Sequence, residues 1–171
     1  MEIRPEQPED VPAVHQVNSA AFGREEEARL VDLLWEAGAV VASLVAVDKV
    51  GDAGEVVGHI LFSPVTLDGC DRSIAGLAPM AVLPGRQRDG IGSALVERGL
   101  AACRDAGIEA VVVLGHPEYY PRFGFVPASR FGLGCEYPVP DEVFMALELT
   151  PGALAGCRGT VRYRPEFSQV E

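Results

Sequence analysis

Residues 77–95, LAPMAVLPGRQRDGIGSAL, join a strand pattern to a helix pattern through a loop that contains glycine. The run from Ser73 to Leu83 is mostly apolar, which predicts a central strand. Gly76 and Pro79 are poor strand residues, so we expect the strand to be splayed or bulged there. From Ile91 to about Ala106 the apolar residues follow helical spacing. The loop between the two elements therefore lies at a helix N-terminus.

This loop has the properties of a diphosphate site. The first N–H groups of a helix have no partners inside the helix, and the helix dipole favours negative charge there. Gly90 and Gly92 carry no Cβ, so phosphate oxygens could approach the backbone closely. Arg86 and Arg88 outnumber Asp89, which makes the loop basic on a chain of net charge −11. The alternative is that the glycines only turn the chain and let the helix pack closely on the sheet.

Two other nucleotide-binding loops do not fit the spacing. A dinucleotide-binding loop of the Rossmann type needs a third glycine three residues after the second, and Leu95 occupies that position. A Walker loop needs Gly-Lys-Ser/Thr, and this loop contains no lysine. Neither type is expected here.

Apolar spacing predicts the other elements of the fold. Residues 8–10 open one helix, with Val11, Val14, Val17 and Ala21 at helical spacing, and a second helix from about Glu25 to Ala37 buries Leu30, Leu33, Leu34 and Trp35. Further strands are predicted at Met1–Arg4, Val40–Val47, Glu55–Val65, Ile108–Leu114 and Val143–Leu149, with a hairpin loop at 48–54 and a helical turn at 117–123. The last residues, including Thr160 to Tyr163, are expected to be peripheral. The pattern predicts an α/β (α+β) fold with a mixed, splayed sheet flanked by helices.

Length and composition limit the class of protein. A chain of 171 residues with 48% hydrophobic and 23% charged residues is typical of one globular domain, here 1–171. The net charge of −11 argues against duplex nucleic acid and against an anionic membrane as partners. The longest apolar stretch, Ala39 to Val47, is too short to span a membrane, and Met1–Pro5 does not resemble a signal peptide. We expect a soluble, cytoplasmic protein.

The cysteines give no sign of a disulfide framework or a zinc site. Cys70, Cys103, Cys135 and Cys157 are widely spaced, form no Cys-x-x-Cys pair and are accompanied by only three histidines. Spacing of this kind predicts reduced thiols and no bound metal.

Two segments resemble motifs of the GNAT superfamily of N-acetyltransferases. Val82 and Pro84 match the end of the family's strand, and Gln87, Gly90 and Gly92 match its Gln/Arg-x-x-Gly-x-Gly/Ala signature. Downstream, residues 119–125 (YYPRFGF) resemble the family's Tyr-x-x-x-Gly-Phe element. The two motifs cover about residues 77–125, which the resemblance identifies as the cofactor core of a single N-acetyltransferase domain.

The resemblance implies acetyl-CoA as co-substrate and no metal. It implies that backbone groups of Met80, Ala81 and Val82 line the pantetheine arm and the acetyl carbonyl. It assigns the diphosphate to Arg88, Asp89, Gly90, Ile91, Gly92 and Ser93. In this family the pantetheine arm lies alongside the splayed strand, which would give Gly76 and Pro79 a purpose.

The resemblance also assigns a general acid to Tyr120, four residues before Gly124. A thiolate leaves when an amine attacks a thioester, and a phenol of ordinary pKa about 10 is still protonated at pH 7 to donate to it. Tyr119 is interpreted as packing or as a substrate wall. The general base stays open among Glu118, His116, Asp68 and the cluster 25–27, because Ser73 to Leu83 contains no carboxylate.

These motifs predict an N-acetyltransferase that acts by direct attack of a primary amine in a ternary complex, with backbone N–H groups stabilising the oxyanion. No cysteine lies in the motifs, so no acyl-cysteine step is expected. One alternative is a non-catalytic CoA-binding or sensing module, and another is a transferase for a longer acyl-CoA. The acceptor is a small-molecule or peptide amine, with net charge favouring a cation, and a homodimer stays open.

Overall fold

The computed structural model describes residues 1–50 and 53–170. Its helices are α1 (Val11–Phe22), α2 (Glu26–Glu36) and α3 (Ile91–Asp105). Its strands are β1 (Glu2–Pro5), β2 (Ala42–Val50), β3 (Ala53–Leu67), β4 (Ile74–Val82), β5 (Ala110–Leu114), β6 (Val126–Pro127), β7 (Leu133–Cys135), β8 (Phe144–Glu148) and β9 (Gly159–Arg162). These bounds confirm the predicted order of elements. The predicted hairpin loop 48–54 is shorter than expected, because β2 and β3 pair as far as Val50 and Ala53; Gly51 and Asp52 lie outside the described residues.

The sheet is split between its two central strands. Its strand order is β1-β2-β3-β4-β5-β8-β6, and β4 and β5 run parallel but pair only from Ile74 with Ala110 to Gly76 with Val112. Beyond that point each strand continues without the other. The register of β4 against β3 also shifts, since Ile60 pairs with Met80 while Phe62 pairs with Leu77, which leaves one extra residue in β4. The predicted splayed and bulged strand is confirmed.

Helices cover both faces of the sheet because strand residues alternate between faces. On one face, α3 buries Ile91 and Leu95 against Ile60 and Val111. On the other face, α1 and α2 bury residues such as Leu34 against Leu61. The central strand β5 is apolar on both sides, as its continuous apolar sequence predicts.

The prediction that α2 buries Trp35 is wrong. The side chain of Trp35 is 44% exposed, and its Nε1 donates to Oε1 of Glu6 at 3.3 Å. Leu33 is only half-buried, whereas Leu30 and Leu34 lie in the core as expected. Successive residues of a helix are about 100° apart, so Leu33, Leu34 and Trp35 cannot all face the sheet.

The expectation of a peripheral C-terminal segment is also wrong. Strand β9 pairs with the end of β3, through Thr66 with Arg162 and Leu67 with Val161, and it runs parallel to β7. Val161 is fully buried and Tyr163 is 8% exposed. Because β3 continues past its last pair with β4, it offers a free edge that β9 occupies.

The predicted reduced state of the cysteines is wrong for one pair. Cys70 and Cys157 form a disulfide with their Cα atoms 5.5 Å apart and a sequence separation of 87 residues. The pairing of β9 with the end of β3 brings the turn after β3 close to the loop before β9, which no local spacing could reveal. Cys103 and Cys135 are free, the first buried and the second half-buried.

None of the helices in residues 1–50 and 53–170 combines the length and the apolar character needed to cross a membrane.

Replacing Cys157 with Ser should lower the free energy of unfolding by about 2–4 kcal/mol, because the disulfide restricts the unfolded chain. Urea unfolding with and without a dithiol reductant measures this: reductant should destabilise the wild type and leave the variant unchanged. Cys135→Ser is the matched control and should keep the response to reductant. Four reactive thiols in denatured, unreduced protein would contradict the prediction.

Candidate functional site

A groove of about 590 Å³ lies beside the split, between β4, the N-terminus of α3 and the segment after β5. It is lined by Met80, Val82, Gln87, Arg88, Gly90, Gly92, Ser93, Tyr119 and Arg122. Six of the residues predicted to bind the cofactor therefore meet in one groove. The remaining three contribute no side chain to its lining: Ala81 and Ile91 are buried, and Asp89 is exposed.

The backbone amides of the loop are available to a ligand. Within the described residues, no hydrogen bond is donated by the amides of residues 88–93, and the first helical bond runs from Ala94 N to Gly90 O at 3.1 Å. Because Gly90 is the N-cap, no side chain caps the helix. Six consecutive amides thus lie unpaired at a helix N-terminus, which is the arrangement that binds phosphate groups.

Two loop residues adopt left-handed backbone conformations. Arg88 has φ +70° and Gly90 has φ +82°. For Arg88 this conformation costs about 1–2 kcal/mol relative to a right-handed one, and such strain is often found at ligand-binding positions. Gly92 serves a different purpose: a Cβ there would lie 3.2 Å from the hydroxyl of Tyr119, inside the groove. Glycine at this position keeps the groove open.

The three arginines near the loop differ in their interaction partners. Arg86 forms ion pairs with Asp48 and with Asp89, and its hydrogen bond to Asp48 raises the pKa of its guanidinium. Arg88 and Arg122 form no ion pair within the described residues, and both line the groove. The positive charge that faces the groove therefore comes from Arg88 and Arg122, and Arg86 instead anchors the loop to β2.

Tyr119 and Tyr120 have different surroundings. The hydroxyl of Tyr119 lies 3.3 Å from Oγ of Ser93 in the first turn of α3, and the guanidinium of Arg122 lies 4.6 Å from the centre of the Tyr119 ring. Tyr120 is 7% exposed, and its ring packs edge-on against Tyr119 and on the backbone of Gly115, directly after β5. Burial, with a smaller contribution from Tyr119, raises the pKa of Tyr120 to about 12.

The hydroxyl of Tyr120 makes no hydrogen bond within the described residues, and it is not among their fully buried polar atoms. It is therefore a neutral donor, still partly accessible, at the end of β5.

Sequence reasoning did not assign Gln87, Tyr119 or Arg122 to the cofactor. The side chain of Gln87 donates to the carbonyl of Val82 at 3.2 Å and ties the loop to the end of β4. Arg122 occupies an unspecified position of the Tyr-x-x-x-Gly-Phe element, so the motif carries no signal for it.

The candidate bases differ in their distance from the groove. His116 and Glu118 line a second cavity of about 380 Å³ that shares Tyr119 and Arg122 with the groove. Asp68 is 85% exposed in the turn after β3, and its nearest cation is Arg162 at 4.0 Å. In the cluster 25–27, Glu25 pairs with His15 and Glu27 pairs with Arg24.

Among the residues that the structure describes, no three His, Cys, Asp or Glu side chains are grouped so that they could hold a metal ion.

Comparison with known proteins identifies a family and several relatives. A family model for the acetyltransferase (GNAT) domain matches residues 2–128. The N-acetyltransferase YhbS of Escherichia coli is 38% identical over 169 residues, 99% of each chain, and the N-acetyltransferase YjhQ of the same species is 37% identical over 155 residues, 86% of this chain and 84% of its own.

Two crystal structures extend the comparison. The structure of Escherichia coli YhbS in complex with CoA covers 98% of this chain and 91% of its own, with a TM-score of 0.92 and 38% identity. A GNAT family acetyltransferase from Brucella melitensis in complex with acetyl-CoA covers 97% of each chain, with a TM-score of 0.79 and 37% identity.

Replacing Gly90 with Ala should lower the free energy of unfolding by about 1–2 kcal/mol, because an L side chain disfavours φ +82°. Gly85→Ala is the matched control: a Cβ meets nothing within 4 Å at either glycine, but Gly85 lies outside the left-handed region. Urea denaturation should give an unchanged or slightly higher stability for Gly85→Ala. Equal losses in the two variants would rule out the backbone explanation.

Proposed function

Because this chain belongs to the GNAT family of N-acetyltransferases, we propose that it moves an acetyl group from acetyl-CoA to a primary amine by direct attack in a ternary complex. The family makes it an acyltransferase. The observation that carries the proposal is the row of six unpaired amides at residues 88–93, which lies in a groove beside the split in the sheet.

The residues of the groove fit coenzyme A. The unpaired amides of Arg88, Asp89, Gly90, Ile91, Gly92 and Ser93 suit a diphosphate, with the guanidinium groups of Arg88 and Arg122 as counter-charges. Met80, Ala81 and Val82 lie on the part of β4 that β5 no longer pairs, so their backbone can serve the amide groups of a pantetheine arm. The CoA and acetyl-CoA complexes of the two relatives support the same ligand here.

When bound, acetyl-CoA supplies an activated thioester. Tyr120 is the proposed acid, because its ring packs on the residue that follows β5 and its pKa of about 12 keeps it protonated throughout the physiological range. A neutral phenol can hydrogen-bond to the charge that develops on sulfur and can deliver its proton there. Tyr119 has the positioning task of holding Ser93 and Arg122 against the groove.

The acceptor must lose a proton before it can attack. For an alkylammonium of pKa about 10.4, deprotonation at pH 7 costs about 4.6 kcal/mol. His116 and Glu118 are the candidates that we favour, acting through water, because the cavity that they line shares Tyr119 and Arg122 with the groove.

The proposal treats residues 1–171 as one domain, and the pairing of β9 with β3 supports this. It locates the protein in the cytoplasm, and the Cys70–Cys157 disulfide is the observation that favours a more oxidising compartment instead. Alkylation of free thiols in intact cells, followed by mass measurement, distinguishes the two. Whether the protein acts as a monomer or a homodimer can be measured by light scattering.

Tyr120→Phe should reduce kcat at least 100-fold, because the variant loses the proton donor while the ring that packs on Gly115 is retained. Tyr119→Phe should instead raise KM for acetyl-CoA and change kcat little, because it removes the hydrogen bond to Ser93. Release of free thiol in the presence of an amine measures both. Because the pKa of Tyr120 is about 12, Tyr120 stays protonated up to about pH 10. The wild-type kcat should therefore not fall in that range through deprotonation of this acid.

The same variants test the alternatives. Equal kcat for wild type and Tyr120→Phe would remove Tyr120 from the acid role. Thermal stabilisation by CoA without turnover of any amine would favour the sensing module. Stronger stabilisation by propionyl- or succinyl-CoA than by acetyl-CoA would favour a longer acyl donor.

Arg88→Gln and Arg122→Gln should each weaken CoA binding about 5- to 10-fold, roughly 1–1.4 kcal/mol, because each removes a charge that faces the phosphates. Both variants should also show a weaker dependence of the Kd on salt. Isothermal titration with CoA gives these values. Arg104→Gln, on the exposed last turn of α3, is the control and should leave the Kd unchanged.

A further inference from the structure

We propose that the acceptor amine carries an uncharged apolar group of about the size of a benzene ring, which binds in a second pocket at the split. This inference rests on the proposed function, and it names the class of acceptor. The pocket, called here the apolar pocket, is lined by Leu77, Ala78, Leu114, Tyr137, Tyr163 and Phe167.

The apolar pocket lies directly beyond the last pair between β4 and β5. That pair joins Gly76 to Val112; Leu77 and Ala78 follow Gly76 on β4, and Leu114 ends β5. The cofactor groove also borders this part of β4, through Met80 and Val82. An amine whose substituent fills the apolar pocket therefore has its nitrogen at the same gap in the sheet that the thioester would reach.

The aromatic walls of the apolar pocket and the side chain of Met80 lie on opposite faces of the sheet, and Leu77, which also lines the pocket, belongs to the core on the α3 side. Met80 belongs with the core on the α3 side, whereas Tyr163 packs with Val65, Ile74 and the C-terminal segment on the other side. The donor and the acceptor can thus approach the gap from different sides without competing for space.

Size and lining define the chemistry of the occupant. The pocket has a volume of about 130 Å³. An apolar cavity of about 150 Å³ in another protein accommodates benzene. Three of its walls are aromatic, with ring centres 6.0 Å apart for Tyr137 and Tyr163 and 5.2 Å apart for Tyr163 and Phe167. Such walls favour aromatic or branched hydrocarbon groups.

The pocket offers no charge to a second ammonium group. None of its lining residues is acidic or basic. Burial raises the pKa of Tyr163, so its hydroxyl remains neutral. The nearby carboxylate of Glu136 is already engaged, because it accepts the amide hydrogen of Tyr163 at 2.8 Å and lies 4.0 Å from Arg162. Polyamines would leave a charge unpaired there, which is costly.

The aromatic walls come from a part of the chain that the general family pattern does not describe. The family model ends at residue 128, and Tyr137, Tyr163 and Phe167 all lie beyond it. The cofactor groove, by contrast, lies within the matched region. Binding of the shared co-substrate and choice of acceptor are thereby assigned to different parts of the sequence.

An amine panel tests this assignment on the full-length protein. We expect kcat/KM for 2-phenylethylamine and isoamylamine to exceed that for ethanolamine and putrescine at least 10-fold, because their apolar groups leave water when they enter the pocket. Thiol release from acetyl-CoA is the assay. 2-Phenylethylamine should also raise the melting temperature of the CoA-bound protein, which ethanolamine should not.

Variants of Leu114 locate the binding site of the substituent. Leu114 is 36% exposed, so Leu114→Trp can fill the pocket without disturbing the core. It should raise KM for 2-phenylethylamine at least 10-fold and leave the stabilisation by CoA unchanged. Leu114→Glu should shift the preference toward putrescine, because it supplies the missing carboxylate. Val11→Trp, at an exposed position on α1, is the control and should change neither.

The outcomes separate this inference from the proposed function. If CoA stabilises the protein but the polar amines are preferred, or no amine of the panel is acetylated, or Leu114→Trp has no effect, the inference is wrong and CoA binding still stands. If CoA neither stabilises the wild type nor releases heat on titration, the proposed function fails and the inference fails with it.

Discussion

The parting of β4 from β5 after three residue pairs creates the gap that the groove and the apolar pocket both border. On the two sides of this gap a tyrosine ring packs against a glycine: Tyr163 against Gly76 of β4, and Tyr120 against Gly115, directly after β5. A Cβ at Gly76 would lie 2.7 Å from the ring of Tyr163, and a Cβ at Gly115 would collide with the ring of Tyr120. The rings thus pack against the backbone at the last paired residue of β4 and directly after β5. The gap is therefore maintained by packing from both faces of the sheet, in addition to the extra residue in β4.

Electrostatics complement this geometry. The chain has a net charge of −11, yet one groove is lined by the unpaired amides and Arg88 of the loop before α3 and by Arg122 from the segment after β5. Neither guanidinium forms an ion pair within the described residues. Arg86 makes this possible, because it neutralises Asp89 and ties the loop to Asp48 on β2. A polyanion is thus attracted locally, while the rest of the surface attracts cations over longer distances.

The sequence predicts the parts of this arrangement that depend on local chemistry. Segments of ten to twenty residues are enough to show the helical and alternating spacing, the poor strand residues in β4 and the two loop glycines. The burial of Val161 and the disulfide of Cys70 are not, because they depend on which free edge β9 joins. The predicted burial of Trp35 is wrong for a different reason, because hydrophobicity alone does not show which face of a helix a residue occupies.

For the same reason, the sequence predicts only part of the candidate site. A motif fixes the positions that every member of a family needs, and in the function proposed here those positions would bind the part of the ligand that all members share. The walls that would contact an acceptor include Tyr163 and Phe167, which follow the strand β9 that pairs with the end of β3 and begins just after the disulfide. The position of these two side chains at the gap depends on tertiary structure. Other residues can replace them without any change in the loop before α3. Under the proposed function, the acceptor can therefore differ between members of the family while the binding site for the cofactor stays the same.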